Sequence, residues 1–307
     1  MQQATLARAV MLEGVGLHRG VHTRLRILPA PADHGIVFRR VDLPAGANRI
    51  PALWSHVVDT RLNTTIGTGQ GGAVVSTVEH LMAALAGVGI HNALIEIDGP
   101  EVPILDGSAA PFVDALLEAG VAPLGAPLEV IEITAPVAVR RGEALARLEP
   151  AAAFEIDYVI AFDEPAIGRQ QKRLRLANGA FCDELADSRT FCRLADVEVM
   201  KANGLALGGS LENAIVVDGA RVLNEEGLRH TDEYVRHKML DALGDLALAG
   251  APIRGRYLAR RAGHAVTNAL LRRLFADPAS YRRRPAMPGD ACWMPGPVGA
   301  NAARLAG

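Results

Sequence analysis

The chain has 307 residues, of which 50% are hydrophobic and 21% charged, enough to bury the cores of two ordinary domains and to exclude disorder of the whole chain. A formal net charge of −2 leaves no basic excess for neutralising phosphates, which argues against a protein that binds nucleic acid. No window approaches the roughly 18 consecutive apolar residues of a membrane span, and the opening residues predict no secretory signal.

The first half alternates short strands with helices. Leu25 and Ile27 alternate with Arg24 and Arg26, and after the glycine turn at 69–72 a short strand is expected over 73–75. Ser76-Thr77-Val78-Glu79 has the form of a capping box opening a helix that runs to Gly87. A strand over 93–97 and a helix over 108–119 follow, and Pro123, Gly125 and Pro127 mark the end of a first domain, 1–125.

In the second half, 130–133 and 154–160 predict strands, the latter alternating Phe154, Ile156, Tyr158 and Ile160 with Glu155 and Asp157. A helix over 232–249, a strand near Tyr257 and a helix over 265–275 complete a second domain, 126–278. Strands and helices interleave without the regular alternation of a doubly wound sheet. The expected class is α+β: two similar α/β sandwich domains, each a mixed or antiparallel sheet packed with helices, facing each other across the active site. Beyond Phe275 the chain is rich in Pro, Gly, Ala and Arg, including Arg282, Arg283 and Arg284, and a poorly ordered tail is expected over 279–307.

Cys182, Cys192 and Cys292 are widely spaced with no CxxC, which suits a reducing compartment and requires any metal to be held by His and carboxylates. His237 and Asp241 lie four residues apart on the 232–249 helix, so their side chains project from adjacent turns and can share an ion. These N and O donors suit zinc or ferrous iron. The same spacing equally serves as ordinary helix support. On the helical wheel Val235, Met239, Ala242 and Leu246 form an apolar stripe, with His237, Asp241 and Gly244 opposite. Leu240 and Leu248 flank that polar face, so another part of the molecule is expected to cover it.

Glu79-His80 offers a third ligand and a base, although Glu79 also fits as the acid of the capping box. His264 opens the last helix after a strand; the helix dipole there lowers its pKa and neighbouring carboxylates raise it. His18, His22, His34, His56, His91 and His230 are read mostly as structural or exposed.

These residues fall within an ordered series of motifs: Gly14-Val15-Gly16-Leu17-His18, Ser76-Thr77-Val78-Glu79-His80-Leu81, Leu105-Asp106-Gly107-Ser108-Ala109, Asp187-Ser188-Arg189-Thr190-Phe191, Leu207-Gly208-Gly209-Ser210, Arg221-Val222-Leu223-Asn224-Glu225, Val235-Arg236-His237-Lys238-Met239-Leu240-Asp241 and Gly263-His264. The series, covering about 4–275, resembles the UDP-3-O-acyl-N-acetylglucosamine deacetylases, zinc amidases of lipid A biosynthesis. The resemblance implies zinc, with ferrous iron as the other candidate, on His80, His237 and Asp241, with water completing an open hydrolytic site. It implies Glu79 as general base, His264 as acid or electrostatic stabiliser, Thr190 at the oxyanion and Asp245 orienting His264. Lys238, Phe191, Leu62, Gly209 and Ser210 would meet the substrate, and an insertion at about 193–218 would form the acyl passage.

The implied reaction is N-deacetylation of UDP-3-O-(3-hydroxyacyl)-N-acetylglucosamine to the free amine and acetate, the committed step of the pathway. A cytoplasmic monomer touching the membrane face only transiently is expected. Three positions depart from the family's habit: Asn63 where a cysteine often lies, Cys192 where glycine is usual, and Glu164 where a histidine often precedes Pro165. Two alternatives stand beside this reading, a metal amidase for another nucleotide sugar or acylated amine, and a non-catalytic module that keeps the fold.

Overall fold

The computed structural model describes residues 1–177 and 179–294. The first half rests on a five-stranded sheet ordered Val10–Val15, His22–Pro29, Ala93–Ile97, Ile36–Arg40, Arg49–Pro51. It is mixed, because Ala93–Ile97 pairs antiparallel with His22–Pro29 and parallel with Ile36–Arg40. Period-two patterning positions its faces: Thr23, Leu25 and Ile27 are buried, while Arg24 and Arg26 point outward to Asp98 and Glu96.

Helix α1 (Glu79–Val88) is rich in Ala and Leu and buries every residue except Ala86, the pattern of a helix enclosed on all sides. It ends where Gly89 adopts a φ of 83°, a left-handed cap suited to glycine. Its start corrects the expected capping box. No side chain caps α1: Ser76 donates to the Pro100 carbonyl, Glu79 accepts the Thr64 N–H, and Thr77 takes a φ of 57° that breaks the motif. Helix α2 (Ala110–Ala119) follows. The strand Val121–Pro127 pairs with Gln2–Leu6, so a boundary at 125 would cut a strand, and the chain passes to the second sheet beyond Pro127.

That second, seven-stranded sheet centres on Ile253–Arg260, antiparallel to Ala144–Glu149 and parallel to Phe154–Ala161 and Glu129–Ile133. The later helices are α3 (Ala180–Glu184), α4 (Leu194–Ala202), α5 (Glu233–Ala247) and α6 (His264–Ala276). Helices α5 and α6 pack against this sheet and each other. Helix α4 links the parallel strands Phe191–Arg193 and Ile215–Asp218 in a β-α-β unit. The class is α+β, as expected.

The two halves meet where α1 lies along α5. Gly244 makes this possible: a Cβ there would sit 1.9 Å from the Glu79 carbonyl oxygen. The polar face of α5 is therefore covered by α1, whose first two residues are Glu79 and His80.

The tail expectation is corrected for 279–294, beginning with Ala279 and Ser280, whose carbonyls accept from Thr134. Tyr281–Pro285 forms a strand antiparallel to Glu129–Ile133, with Arg282 and Arg284 both on Glu132. Arg284 also grips Asp290, and the Trp293 indole, 1% exposed, donates to the same carboxylate. Composition resembled disorder, but alternate arginines find carboxylate partners across the strand pair. Residues 295–307, the remainder of that expected tail, lie outside the described residues.

Candidate metal centre

Three ligand atoms, one each from His80, His237 and Asp241, lie within 4.8 Å of one another. Asp241 Oδ1 is 3.5 Å from His80 Nε2 and 3.4 Å from His237 Nε2. The imidazoles meet edge to face at 5.0 Å between centroids. Helix α5 supplies His237 and Asp241 from successive turns, and α1 brings His80 across the contact at Gly244. The His237 Nδ1–H donates to the Ser188 carbonyl at 3.0 Å, leaving Nε2 with its lone pair turned toward the cluster.

Burial drives the His237 pKa down to about 4, so its ring is neutral. Burial alone would raise Asp241, but His237 and Lys238, whose Nζ donates to Oδ2 at 2.5 Å, hold it well below the ordinary carboxylate range. A neutral imidazole and an ionised carboxylate are the forms a metal needs.

Beside the cluster, His264 Nε2 lies 3.8 Å from Glu79 Oε1 and 4.0 Å from Asp241 Oδ2. Its Nδ1–H donates to Asp245 Oδ2 at 2.8 Å, while the Thr64 hydroxyl donates to Asp245 Oδ1 at 2.5 Å. Burial opposes the charge on His264, but Asp245 and Glu79 outweigh it and raise its pKa to about 9. Of the two influences expected at this position, the raising one of the carboxylates is present. Burial also raises Glu79, against the pull of His264 and His80, which makes it a more basic carboxylate.

Glu79, Asp241 and Asp245 thus gather as three buried carboxylates around His80, His237, His264 and Lys238. Gathering buried carboxylates is costly without a cation, and the two imidazoles and the Asp241 carboxylate converge where a divalent cation would fit. The donor set fits zinc or ferrous iron.

A cavity of about 750 Å³ opens over the cluster. Its walls include Glu79, His80, Thr190, Phe191, His237, Lys238, Asp241 and His264, together with Leu62, Gly209 and Ser210. Asp245 sits behind His264 instead of on the wall. Away from the cluster the cavity becomes apolar, bounded by Leu194, Val197 and Met200 of α4 with Phe162, Leu211 and Val216. Phe191 joins the two regions, its ring 6.2 Å from His237 and 5.5 Å from Phe162.

Sequence reasoning passed over several contributors. His18, read as structural or exposed, is buried on the cavity wall, and its Nδ1 has no hydrogen-bond partner. Burial lowers its pKa. Glu101 holds this loop by accepting the His18 and Arg19 N–H groups and the Thr77 hydroxyl. The glycines preceding His18 were the available signal, since a Cβ at Gly16 would strike the Glu101 carboxylate at 2.6 Å. Thr64 carried no sequence signal, and Ser188 lay in a motif that gave no sign of the role of its carbonyl.

A buried His2Asp cluster with an adjoining carboxylate and histidine has the composition of a hydrolytic metal site. Residues 3–276 match the family model described as UDP-3-O-acyl N-acetylglycosamine deacetylase. The chain is 52% identical over 280 residues to the UDP-3-O-acyl-N-acetylglucosamine deacetylase of Anaeromyxobacter dehalogenans, covering 91% of this chain and 89% of that protein. Identity is 51% over 284 residues to that of Phenylobacterium zucineum, covering 92% and 97%, and 46% over 282 residues to that of Xanthomonas axonopodis pv. citri, covering 91% and 92%. The chain belongs to the UDP-3-O-acyl N-acetylglycosamine deacetylase family.

Proposed function

We propose that this protein is a zinc-dependent deacetylase that hydrolyses the N-acetyl group of UDP-3-O-(3-hydroxyacyl)-N-acetylglucosamine in lipid A biosynthesis, releasing acetate. The observation that carries this reading is the continuity of one cavity, polar at the His80, His237, Asp241 cluster and apolar beneath α4. An amide and a fatty chain on one sugar need those two environments side by side.

His80, His237 and Asp241 would hold the metal, which would supply a Lewis acid for the acetamide carbonyl and a lowered pKa, toward ~7, for water. Glu79, raised by burial and fixed by the Thr64 N–H, receives the proton of the attacking water. His264, kept cationic by Asp245 and Glu79, stabilises negative charge and delivers a proton to the departing amine. Thr190 stands at the oxyanion, and Lys238 and Phe191 hold the sugar and its substituents. Leu62, Gly209 and Ser210 complete the substrate wall, and the β-α-β unit around α4 receives the acyl chain. Domains 1–127 and 128–294 each contribute ligands.

Among the described residues no helix is long and apolar enough to cross a membrane. We place the protein in the cytoplasm as a monomer that meets the membrane face only transiently. The decisive experiment compares acetate release from the UDP-3-O-acyl sugar with that from UDP-N-acetylglucosamine. Preference for the acylated sugar is expected, and equal turnover would support an amidase for another nucleotide sugar.

A further inference from the structure

The Glu233 carboxylate lies at the opening of α5, one turn before His237, and is completely buried. Its Oε1 accepts the backbone N–H of Arg189 at 3.0 Å and the Arg189 Nε–H at 3.0 Å, and its Oε2 accepts the Arg229 N–H at 2.6 Å. Arg189 is 2% exposed and continues to the Gly227 carbonyl and Glu226.

The Arg189 N–H and the Ser188 carbonyl belong to one peptide group, which is planar and trans, so they leave its opposite edges. Glu233 holds one edge. His237 holds the other, through the Nδ1–H donated to Ser188 at 3.0 Å. Side chains four residues apart on α5 therefore grip a single peptide plane between them. Turning that plane would remove the acceptor that keeps the proton on Nδ1 and the lone pair on Nε2. Thr190 follows in the same segment, its N–H donated to the Gly107 carbonyl at 2.8 Å, so the plane also fixes where Thr190 enters the cavity.

From this geometry we infer that Glu233 is a positioning residue for the metal centre: by fixing the 188–189 peptide it sets the tautomer and aim of His237. The inference rests on the reading of His237 as a metal ligand. A purely structural role for the Arg189 and Glu233 ion pair would treat the two partners alike, whereas positioning through the peptide plane distinguishes them. Glu233→Asp keeps the charge opposite Arg189 but withdraws the carboxylate from the Arg189 N–H. Arg189→Lys keeps both the charge and the backbone bond.

The test measures the zinc dissociation constant of each purified variant by chelator competition, its thermal midpoint, and the protonation of His237 by 15N NMR of the metal-free protein. Glu233→Asp is expected to weaken zinc binding by about tenfold or more, in line with partners behind metal ligands elsewhere, and to mix the His237 tautomers. Arg189→Lys is expected to lower the thermal midpoint while leaving zinc affinity and tautomer as in the parent. Equal losses of affinity in both variants, or none in either, would overturn the inference. If Glu233→Asp does not fold, the parent decides: a proton on His237 Nε2 instead of Nδ1 would refute it. Failure of the ligand assignment itself would appear separately, as full zinc binding by His237→Ala.

Discussion

Gly244→Ala isolates the contact that brings the two halves of the site together. The added Cβ would lie 1.9 Å from the Glu79 carbonyl oxygen, where ordinary contact begins at 3.4 Å. Helices α1 and α5 must therefore separate by about 1.5 Å, the difference of those distances. Overpacking of this kind costs about 1–3 kcal/mol, while alanine in place of glycine within a helix contributes roughly 1 kcal/mol the other way. Net destabilisation of about 0–2 kcal/mol leaves the protein folded. The site is more sensitive, because the displacement moves Glu79 and His80 relative to His237 and Asp241, and a misplacement of about 1 Å can lower a rate by about 100-fold. Thermal melting, zinc titration and acetate release on the same preparation should show a small change in stability with a large loss of turnover and weaker zinc binding. Unchanged zinc affinity and a kcat/KM equal to the parent's would refute the claim that this approach sets the site.

Further outcomes are expected elsewhere in the molecule. In Asp245→Asn the amide cannot accept from both Thr64 and His264 as the carboxylate does, and kcat should fall by roughly 10–100-fold with zinc content intact; an unchanged kcat would contradict the orienting role. Trp293→Ala should lower stability in urea by about 3–5 kcal/mol, whereas no shift would mean that the packing of 281–294 contributes nothing. His91 accepts the Ala4 N–H at Nδ1, and burial lowers its pKa to about 4. The unfolded chain, with an ordinary His pKa of about 6.5, therefore binds the proton more readily. Its stabilising contribution is complete above that value and declines as pH falls toward 4. His91→Asn should flatten that decline, and identical slopes for parent and variant would count against it.

Much of this architecture was legible in the chain. The period-two run around Leu25 and Ile27 gave its strand, and His80, His237 and Asp241 lay within ordered motifs that resembled one family. The polar face of α5, flanked by Leu240 and Leu248, pointed to a covering element, and α1 is that element. Other features were hidden for physical reasons. The strand Arg169–Arg175, RQQKRLR, buries none of its residues, so no apolar alternation marks it. Ser76 and Glu79 satisfied a capping pattern, yet tertiary partners drew both away from the helix end. Arg282 and Arg284 read as a solvated tail because their common partner, Glu132, is remote in sequence. The peptide group shared by Glu233 and His237 depends on backbone direction, which side-chain identity does not encode.

His80, His237 and Asp241 are proposed to hold the metal required for deacetylation. The most direct measurement pairs zinc stoichiometry with acetate release for the parent and His237→Ala, each after chelation and after zinc is restored. The parent should bind one zinc per chain, lose turnover on chelation and recover it with zinc, while the variant does neither. Stoichiometric zinc or undiminished turnover in His237→Ala would contradict the account.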